Sequence, residues 1–178
     1  MHPRGGCAFA GHGTYPRVDP PGTRIARWYC PNAHCTFSLL PDCLAARLPG
    51  SLVELEAVVA EAEQASSVAA AANRVRPDDI GLVCAIRWTQ RRIHGVHANL
   101  TTLRGLMPEH FSGCTPTVTA FRQHLGTDCA LVTLREIAAS YLPSFPPPLG
   151  LAPRRGPDGE RVKPRQHPRG PDPPLSSA

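Results

Sequence analysis

The chain has 178 residues, a net charge of +5 and a hydrophobic content of 42%, which allows one ordinary domain or two small units. Its seven cysteines are odd in number and scattered, which argues against a disulfide-stapled secreted scaffold and favours a reducing cytoplasm. No apolar run approaches the roughly 20 residues that span a bilayer, so we expect no membrane segment. Of the 19 basic residues only Lys163 is lysine, so the arginine count alone is weak evidence for nucleic-acid binding.

The first predicted unit, residues 1–48, is punctuated by glycine and proline. Residues 13–18 and 23–29 have β-like composition, and the turn residues 19–22 between them predict an antiparallel hairpin. A lone hairpin buries too little apolar surface to be stable. We therefore expect a metal ion or a neighbouring helix to stabilise this unit.

Soft metal ligands occur at both ends of this hairpin. Cys7, His12, Cys30 and Cys35 form a Cys-x4-His-x17-Cys-x4-Cys pattern, close to the spacing of a zinc ribbon, and zinc prefers four such ligands in a tetrahedron. His34 is an alternative to Cys35 as the fourth ligand. In the other interpretation, Cys30 is a thiol packed as a small hydrophobic side chain and no zinc is bound.

The second predicted unit, residues 49–142, is helical. Ser51 with Glu54 three residues later predicts a capping box that opens a helix. The acidic residues of this helix are predicted to form a solvated border beside its apolar stripe: Glu54, Glu56, Glu61 and Glu63. A short second helix is predicted over residues 67–75, with Ser66 or Ser67 as its cap.

A long amphipathic helix is predicted to begin at Pro77 and to end near Gly105. With Thr89 filling one gap, its apolar residues recur at spacings of three and four, which is typical of a heptad seam; they are Leu82, Ile86, Ile93, Val96, Leu100 and Leu103. Arg87 and Arg91 are predicted on the opposite face, with Trp88 and Arg92 at its flank.

Two shorter helices are predicted to cover the long one. The first has Thr115 as its cap and ends at Gly126, and the second is capped by Asp128. Beyond residue 142 the chain is rich in proline and has no apolar period, so residues 143–178 are predicted to be a disordered tail. The predicted fold is mostly α, with a small N-terminal hairpin module packed on a helical domain that contains one long helix.

Three short segments resemble an uncharacterised, transposase-like bacterial family. The shared sequence motifs are HGTYPR at residues 12–17, RWYCP at 27–31 and TFSLLPD at 36–42. The resemblance implies a zinc ribbon followed by a helix-turn-helix region, and DNA binding linked to mobile elements. The chain departs from the family pattern by having Cys7 alone where a Cys-x-x-Cys pair is usual. Residues 107–178 also show no recognisable catalytic core of a transposase.

The function predicted from the sequence is that of a non-catalytic DNA-binding protein, derived from or accessory to a mobile element. The predicted contacts to DNA are Arg87, Trp88, Arg91 and Arg92, on the second helix of a helix-turn-helix formed by residues 67–75 and 78–94. Asp78 and Asp79 stand against this docking mode, because they would lie near the bases and phosphates. The alternative is a helical interaction module that forms a homodimer through the seam of residues 82–103. No nucleophile or carboxylate motif predicts catalysis.

Overall fold

The computed structural model describes residues 8–76 and 81–152. Within them the chain forms a three-stranded antiparallel sheet followed by α-helices, so the predicted mostly helical fold with a small N-terminal sheet is confirmed. The strands are β1 (Ala10–Pro16), β2 (Arg24–Cys30) and β3 (Cys35–Leu39). The helices are α1 (Leu52–Gln64), α2 (Val68–Val75), α3 (Leu82–Leu106), α4 (Pro108–Phe111), α5 (Val118–Leu125) and α6 (Ala130–Ile137), and a 3-10 turn follows at Ala139–Tyr141.

The predicted hairpin is present, because β1 and β2 pair in antiparallel register with Tyr15 opposite Ile25 and an irregularity between Gly11 and Thr14. A third strand, β3, was not predicted. It pairs with β2 so that Trp28 lies opposite Phe37. Residues 31–34, between the candidate zinc ligands Cys30 and Cys35, are therefore the tight connection of a second hairpin.

Arg17 joins the sheet to the loop that precedes α1. Its guanidinium group donates hydrogen bonds to the backbone carbonyls of Asp19 at 2.7 Å, Ala45 at 2.8 Å and Gly50 at 3.3 Å, and also to that of Leu48. Carbonyl groups in loops need such partners when they leave water. One arginine therefore holds the β1–β2 turn against residues 45–50.

Helix α1 begins as predicted. The Ser51 hydroxyl accepts a hydrogen bond from the backbone N–H of Glu54 at 3.1 Å, and the Glu54 carboxylate accepts one from the backbone N–H of Ser51 at 2.7 Å. These reciprocal bonds satisfy two backbone donors at the start of the helix. Leu52, Leu55 and Val59 then pack into the core.

Two glutamates of α1 are structural, and the prediction of a solvated acidic border is wrong for them. Glu56 is fully buried and accepts hydrogen bonds from the backbone N–H groups of Ala130 and Leu131, the first two residues of α6. Glu63 accepts hydrogen bonds from the first two N–H groups of α5. A carboxylate at a helix N-terminus satisfies unpaired donors and complements the helix dipole.

These contacts also correct the predicted caps. Thr117, two residues beyond the predicted Thr115, caps α5 by accepting a hydrogen bond from the backbone N–H of Ala120. Cys129 precedes α6 without a side-chain cap, and Asp128 does not cap it. Gly126 ends α5 in the left-handed conformation, as predicted.

Helix α3 starts at Leu82, because Gly81 is extended with φ −63° and ψ 148°. The predicted start at Pro77, with Asp78 and Asp79 in the first turn, lies outside the described residues. The buried line of α3 differs from the predicted seam in its first half and runs through Ala85, Thr89, Arg92, Val96, Asn99 and Leu103. Leu82 is exposed and Ile86 is half-buried.

Helix α3 packs against α2, where the small residues Ala71 and Ala72 are fully buried. The second half of α3 contributes to the apolar core. Val96, Leu100 and Leu103 belong to that core. The second half of the predicted dimer seam is therefore buried within its own chain.

The predicted start of the tail at residue 143 is also wrong. Phe145 and Leu149 are buried in the core. Arg135 donates hydrogen bonds to the carbonyl of Leu149 at 2.9 Å and to that of Leu44 at 2.6 Å. Asn99 donates to the carbonyl of Pro147 at 2.9 Å. Residues 143–152 are thus held by two distant polar side chains that no local pattern reveals.

Candidate nucleic-acid interface

The most basic surface element is helix α3. Its 25 residues include Arg87, Arg91, Arg92 and Arg104 and contain no aspartate or glutamate. Arg87 and Arg91 are exposed and lie one turn apart, about 6 Å along the helix axis. A helix with this composition places positive charge on the surface without a carboxylate of its own to neutralise it.

Arg87 and Arg91 share their surface with Gln90 and His94. Together with Cys84 these side chains line a shallow depression of about 490 Å³. We call Arg87, Gln90, Arg91 and His94 the outer edge of α3. Gln90 was not among the predicted contacts, although its position three residues after Arg87 indicates the same helix face. A glutamine amide can donate and accept, which is the chemistry that reads base edges.

Arg92 faces the interior, which corrects its predicted place beside the outward arginines. It is 7% exposed, and its guanidinium carbon lies 3.5 Å from the centre of the Trp88 ring. Burial and, to a smaller extent, the neighbouring charge of Arg91 lower the pKa of Arg92 to about 10, although Asp19 acts in the opposite direction. Arg92 remains charged at neutral pH, but its charge is stacked on Trp88.

Trp88 is half-buried, and Arg92 covers one face of its ring. This contact is a cation–π interaction, which stabilises a buried guanidinium. Of the four predicted DNA contacts, Arg87 and Arg91 are therefore exposed together, while Trp88 and Arg92 pair with each other.

Helices α2 and α3 pack against each other, as the two helices of a helix-turn-helix do. Six residues, 76–81, separate them, whereas the turn of that motif usually has three or four. The exposed arginines lie in the second and third turns of α3 and not at its N-terminus. This geometry suits a DNA contact along the side of α3 better than insertion of its first turn into a DNA groove.

The predicted zinc ligands are brought together only in part. Cys30 and Cys35 are direct cross-strand partners at the ends of β2 and β3. The His12 ring lies 5.9 Å from the ring of Tyr29, whereas Cys30 follows Tyr29 and points to the other face of the sheet. The His34 ring nitrogen Nδ1 is 3.1 Å from the Tyr29 hydroxyl.

Cys7, the fourth predicted ligand, lies outside the described residues. Within residues 8–76 and 81–152, no three histidine, cysteine or acidic side chains are close enough to hold a metal ion together. The strand pairing places Cys30 and Cys35 next to each other, whereas His12 packs against Tyr29.

No protein-family model matches the sequence, and neither a curated protein nor a solved structure is similar enough to match it. In the part of the chain that the structure describes, no helix combines the length and apolar character needed to cross a membrane.

Proposed function

We propose that this chain is a non-catalytic DNA-binding protein that contacts duplex phosphates through the outer edge of α3. The observation that carries the proposal is the exposed pair Arg87 and Arg91 on a helix without acidic residues. Phosphate contacts supply most of the sequence-independent affinity for DNA, and arginine is well suited to them. Gln90, between the two arginines, is the candidate for contact with a base edge.

The link to mobile elements rests on the resemblance of the segments at residues 12–17, 27–31 and 36–42 to a transposase-like family. The proposed role as an accessory or derived protein rests on the same resemblance. The interaction-module alternative loses support, because the second half of the proposed seam is buried within the chain.

Salt dependence of duplex binding tests this proposal. The wild-type protein is expected to bind a 20-base-pair duplex with an affinity that falls steeply as salt rises. Because each lost phosphate contact reduces the slope of log affinity against log salt by about 0.9, the double change Arg87→Ala and Arg91→Ala should reduce it by about 2.

Arg47→Gly is the matched control. Arg47 is an exposed arginine outside α3, and its φ of 60° suits glycine. Its removal lowers the net charge but should leave the slope unchanged. The proposal fails if the wild type binds no duplex at 50 mM salt, or if the double variant and the control have the same slope as the wild type.

A further inference from the structure

Two cysteines face each other where β2 and β3 end. Cys30 is the last residue of β2, Cys35 is the first residue of β3, and the two are direct partners in the antiparallel register. Facing residues of an antiparallel pair point to the same side of the sheet. Both side chains are thiols in this structure. Two thiols at one position of a hairpin form a candidate dithiol–disulfide couple.

The register places Cys30 and Cys35 at a separation that a disulfide can bridge. The Cα atoms of facing antiparallel residues are about 4.5 or 5.5 Å apart, and most disulfides join Cα atoms about 4.4–6.8 Å apart. The Cβ atoms of facing residues are about 4.5–5.5 Å apart, whereas a disulfide needs about 3.5–4.5 Å. Because both strands end at this pair, the remaining approach of about 1 Å requires a shift at the end of the hairpin only.

The two thiols differ in exposure, which assigns them different roles. Cys35 is half-buried, so a small oxidant can reach its sulfur, whereas Cys30 is 0% exposed. Thiol–disulfide exchange requires access to the attacking thiol. Cys35 is therefore the thiol that reacts first, and Cys30 is the resolving thiol.

The other cysteines of the described residues offer no comparable pair. They lie in four separate segments, and none of them faces another cysteine across the paired strands: Cys43, Cys84, Cys114 and Cys129. The pairing of Cys30 with Cys35 is therefore a specific feature of the β2–β3 hairpin.

We propose that Cys30 and Cys35 form a redox modification site, which a low-molecular-weight disulfide such as glutathione disulfide converts to a cross-strand disulfide. In the first step the Cys35 thiolate attacks one sulfur of glutathione disulfide, forms a mixed disulfide and releases one glutathione thiolate. In the second step the Cys30 thiolate attacks the Cys35 sulfur, forms the protein disulfide and releases the second glutathione thiolate. The protons of the two protein thiols pass to the two released thiolates. The electron pair lost by the protein reduces glutathione disulfide to two molecules of glutathione.

This modification is distinct from the outer edge of α3 and does not rest on duplex binding. Zinc binds cysteine as the thiolate, so the disulfide and the zinc binding predicted from the sequence exclude each other at Cys30 and Cys35. Thiols reverse the exchange. The pair therefore responds to the balance of thiols and disulfides around the protein.

Peptide mapping of the wild-type protein tests the proposal. The protein is incubated with glutathione disulfide, with and without EDTA, because a bound metal ion would protect the thiolates. The remaining thiols are blocked with iodoacetamide before digestion with chymotrypsin, which cleaves after Tyr29 and Phe37. The resulting peptide, residues 30–37, contains Cys30 and Cys35 and no other cysteine. It is expected to lose two hydrogen atoms and both alkylation sites, and to regain them after reduction by dithiothreitol.

Single variants test the order of the two steps. Cys30→Ser removes the resolving thiol, so we expect it to accumulate a glutathione adduct on Cys35. Cys35→Ser retains only the buried thiol and should gain no adduct on Cys30. Cys43→Ser is the matched control, because Cys43 is the next cysteine along the chain and is exposed. It should form the disulfide in residues 30–37 as the wild type does.

Alkylation of both Cys30 and Cys35 in the treated wild type, with and without EDTA, would overturn the proposal. A disulfide that joins either of them to Cys7 or Cys43 instead would also overturn it. An adduct on Cys30 in Cys35→Ser, with none on Cys35 in Cys30→Ser, would overturn the assigned roles. Because the mapping of the wild type needs no variant, it decides the proposal even if a serine variant fails to fold.

Discussion

The carboxylate of Glu56 on α1 accepts a hydrogen bond of 2.7 Å from the backbone N–H of Leu131 in the first turn of α6, 75 residues away. The same carboxylate accepts hydrogen bonds from the N–H of Ala130 at 2.9 Å and from the guanidinium group of Arg122 at 2.6 Å. Glu56 is fully buried, so these three donors supply the solvation that water would otherwise give. The orientation of α6 on the core depends on this side chain.

Glu56→Ala is therefore expected to destabilise the protein by about 3 kcal/mol, because it leaves Arg122 and two buried N–H groups without their acceptor. Glu61→Ala, on the same helix, is the control. Glu61 forms an exposed ion pair with Arg74, and its loss should cost at most about 1 kcal/mol. Urea unfolding followed by circular dichroism measures both. Similar midpoints for the two variants would contradict the structural role of Glu56.

We expect the protein to lose stability in acid as the carboxylate of Glu63 becomes protonated. Burial acts to raise its pKa, but hydrogen bonds from His97, Thr119 and Val118 outweigh burial and hold the pKa of this carboxyl below its ordinary value of 4.5. Because the pKa of Glu63 is lower in the folded than in the unfolded protein, its ionised carboxylate stabilises the fold fully above about pH 4.5. This stabilisation is lost as the pH falls through the folded-state pKa.

The free energy of unfolding of Glu63→Gln should therefore be lower than that of the wild type at pH 6, by about 1 to 2 kcal/mol. The difference should shrink as the pH falls below about 4.5, because the wild-type carboxyl then becomes protonated. Urea titrations at pH 6, 5, 4 and 3 measure it. A difference that stays constant down to pH 3 would show that the ionised form of Glu63 is not what stabilises the fold.

Arg91 and Arg92 are neighbours in sequence with opposite roles. Arg92→Ala removes a buried guanidinium stacked on Trp88 and is expected to lower the free energy of unfolding by about 1 to 2 kcal/mol. Arg91→Ala changes an exposed side chain and should stay within about 0.5 kcal/mol of the wild type. In duplex titrations Arg91→Ala is instead the more harmful of the two changes. It should reduce the slope of log affinity against log salt by about 0.9. An unchanged unfolding midpoint together with a reduced slope for Arg92→Ala would restore Arg92 as a DNA contact.

The zinc content of the purified protein tests whether the thiols of Cys30 and Cys35 bind a metal ion. Because Cys30 and Cys35 are cross-strand partners and His12 packs on Tyr29, we expect any zinc in the purified protein to be lost in Cys30→Ala and kept in His12→Ala. Cys43→Ala, at an exposed cysteine in the loop before α1, is the control and should retain the metal. Elemental analysis of the four proteins measures this. A metal-free, folded wild type would reject the zinc site, and equal loss in His12→Ala would restore His12 as a ligand.

Features that depend on neighbours in sequence could be predicted from the sequence. The Ser51 capping box, the left-handed Gly126 at the end of α5 and the first hairpin all arise from contacts within a few residues. The exposed pair Arg87 and Arg91 also follows from helix periodicity, since residues four apart share a face. These local rules predicted the mostly helical fold and the exposed pair Arg87 and Arg91.

Only the tertiary structure decided which polar side chains are buried. Glu56 was predicted to be solvated, and Arg92 was predicted to face outward, because an acidic or basic residue beside an apolar stripe usually remains in water. Each is buried because a partner compensates its desolvation. For Glu56 the partners are 66 to 75 residues away in the chain. For Arg92 the partner is the Trp88 ring on its own helix.

The order of residues 143–152 has the same origin. Proline-rich composition without an apolar period predicts disorder, yet Arg135 binds the carbonyls of Leu149 and of Leu44, the latter 91 residues away. Composition describes what a segment can bury by itself, and it contains no information about donors that the rest of the fold supplies. The sequence by itself therefore determined most of the helices, the first hairpin and the exposed basic edge, whereas long-range hydrogen bonds decided the buried charges and the end of the ordered core.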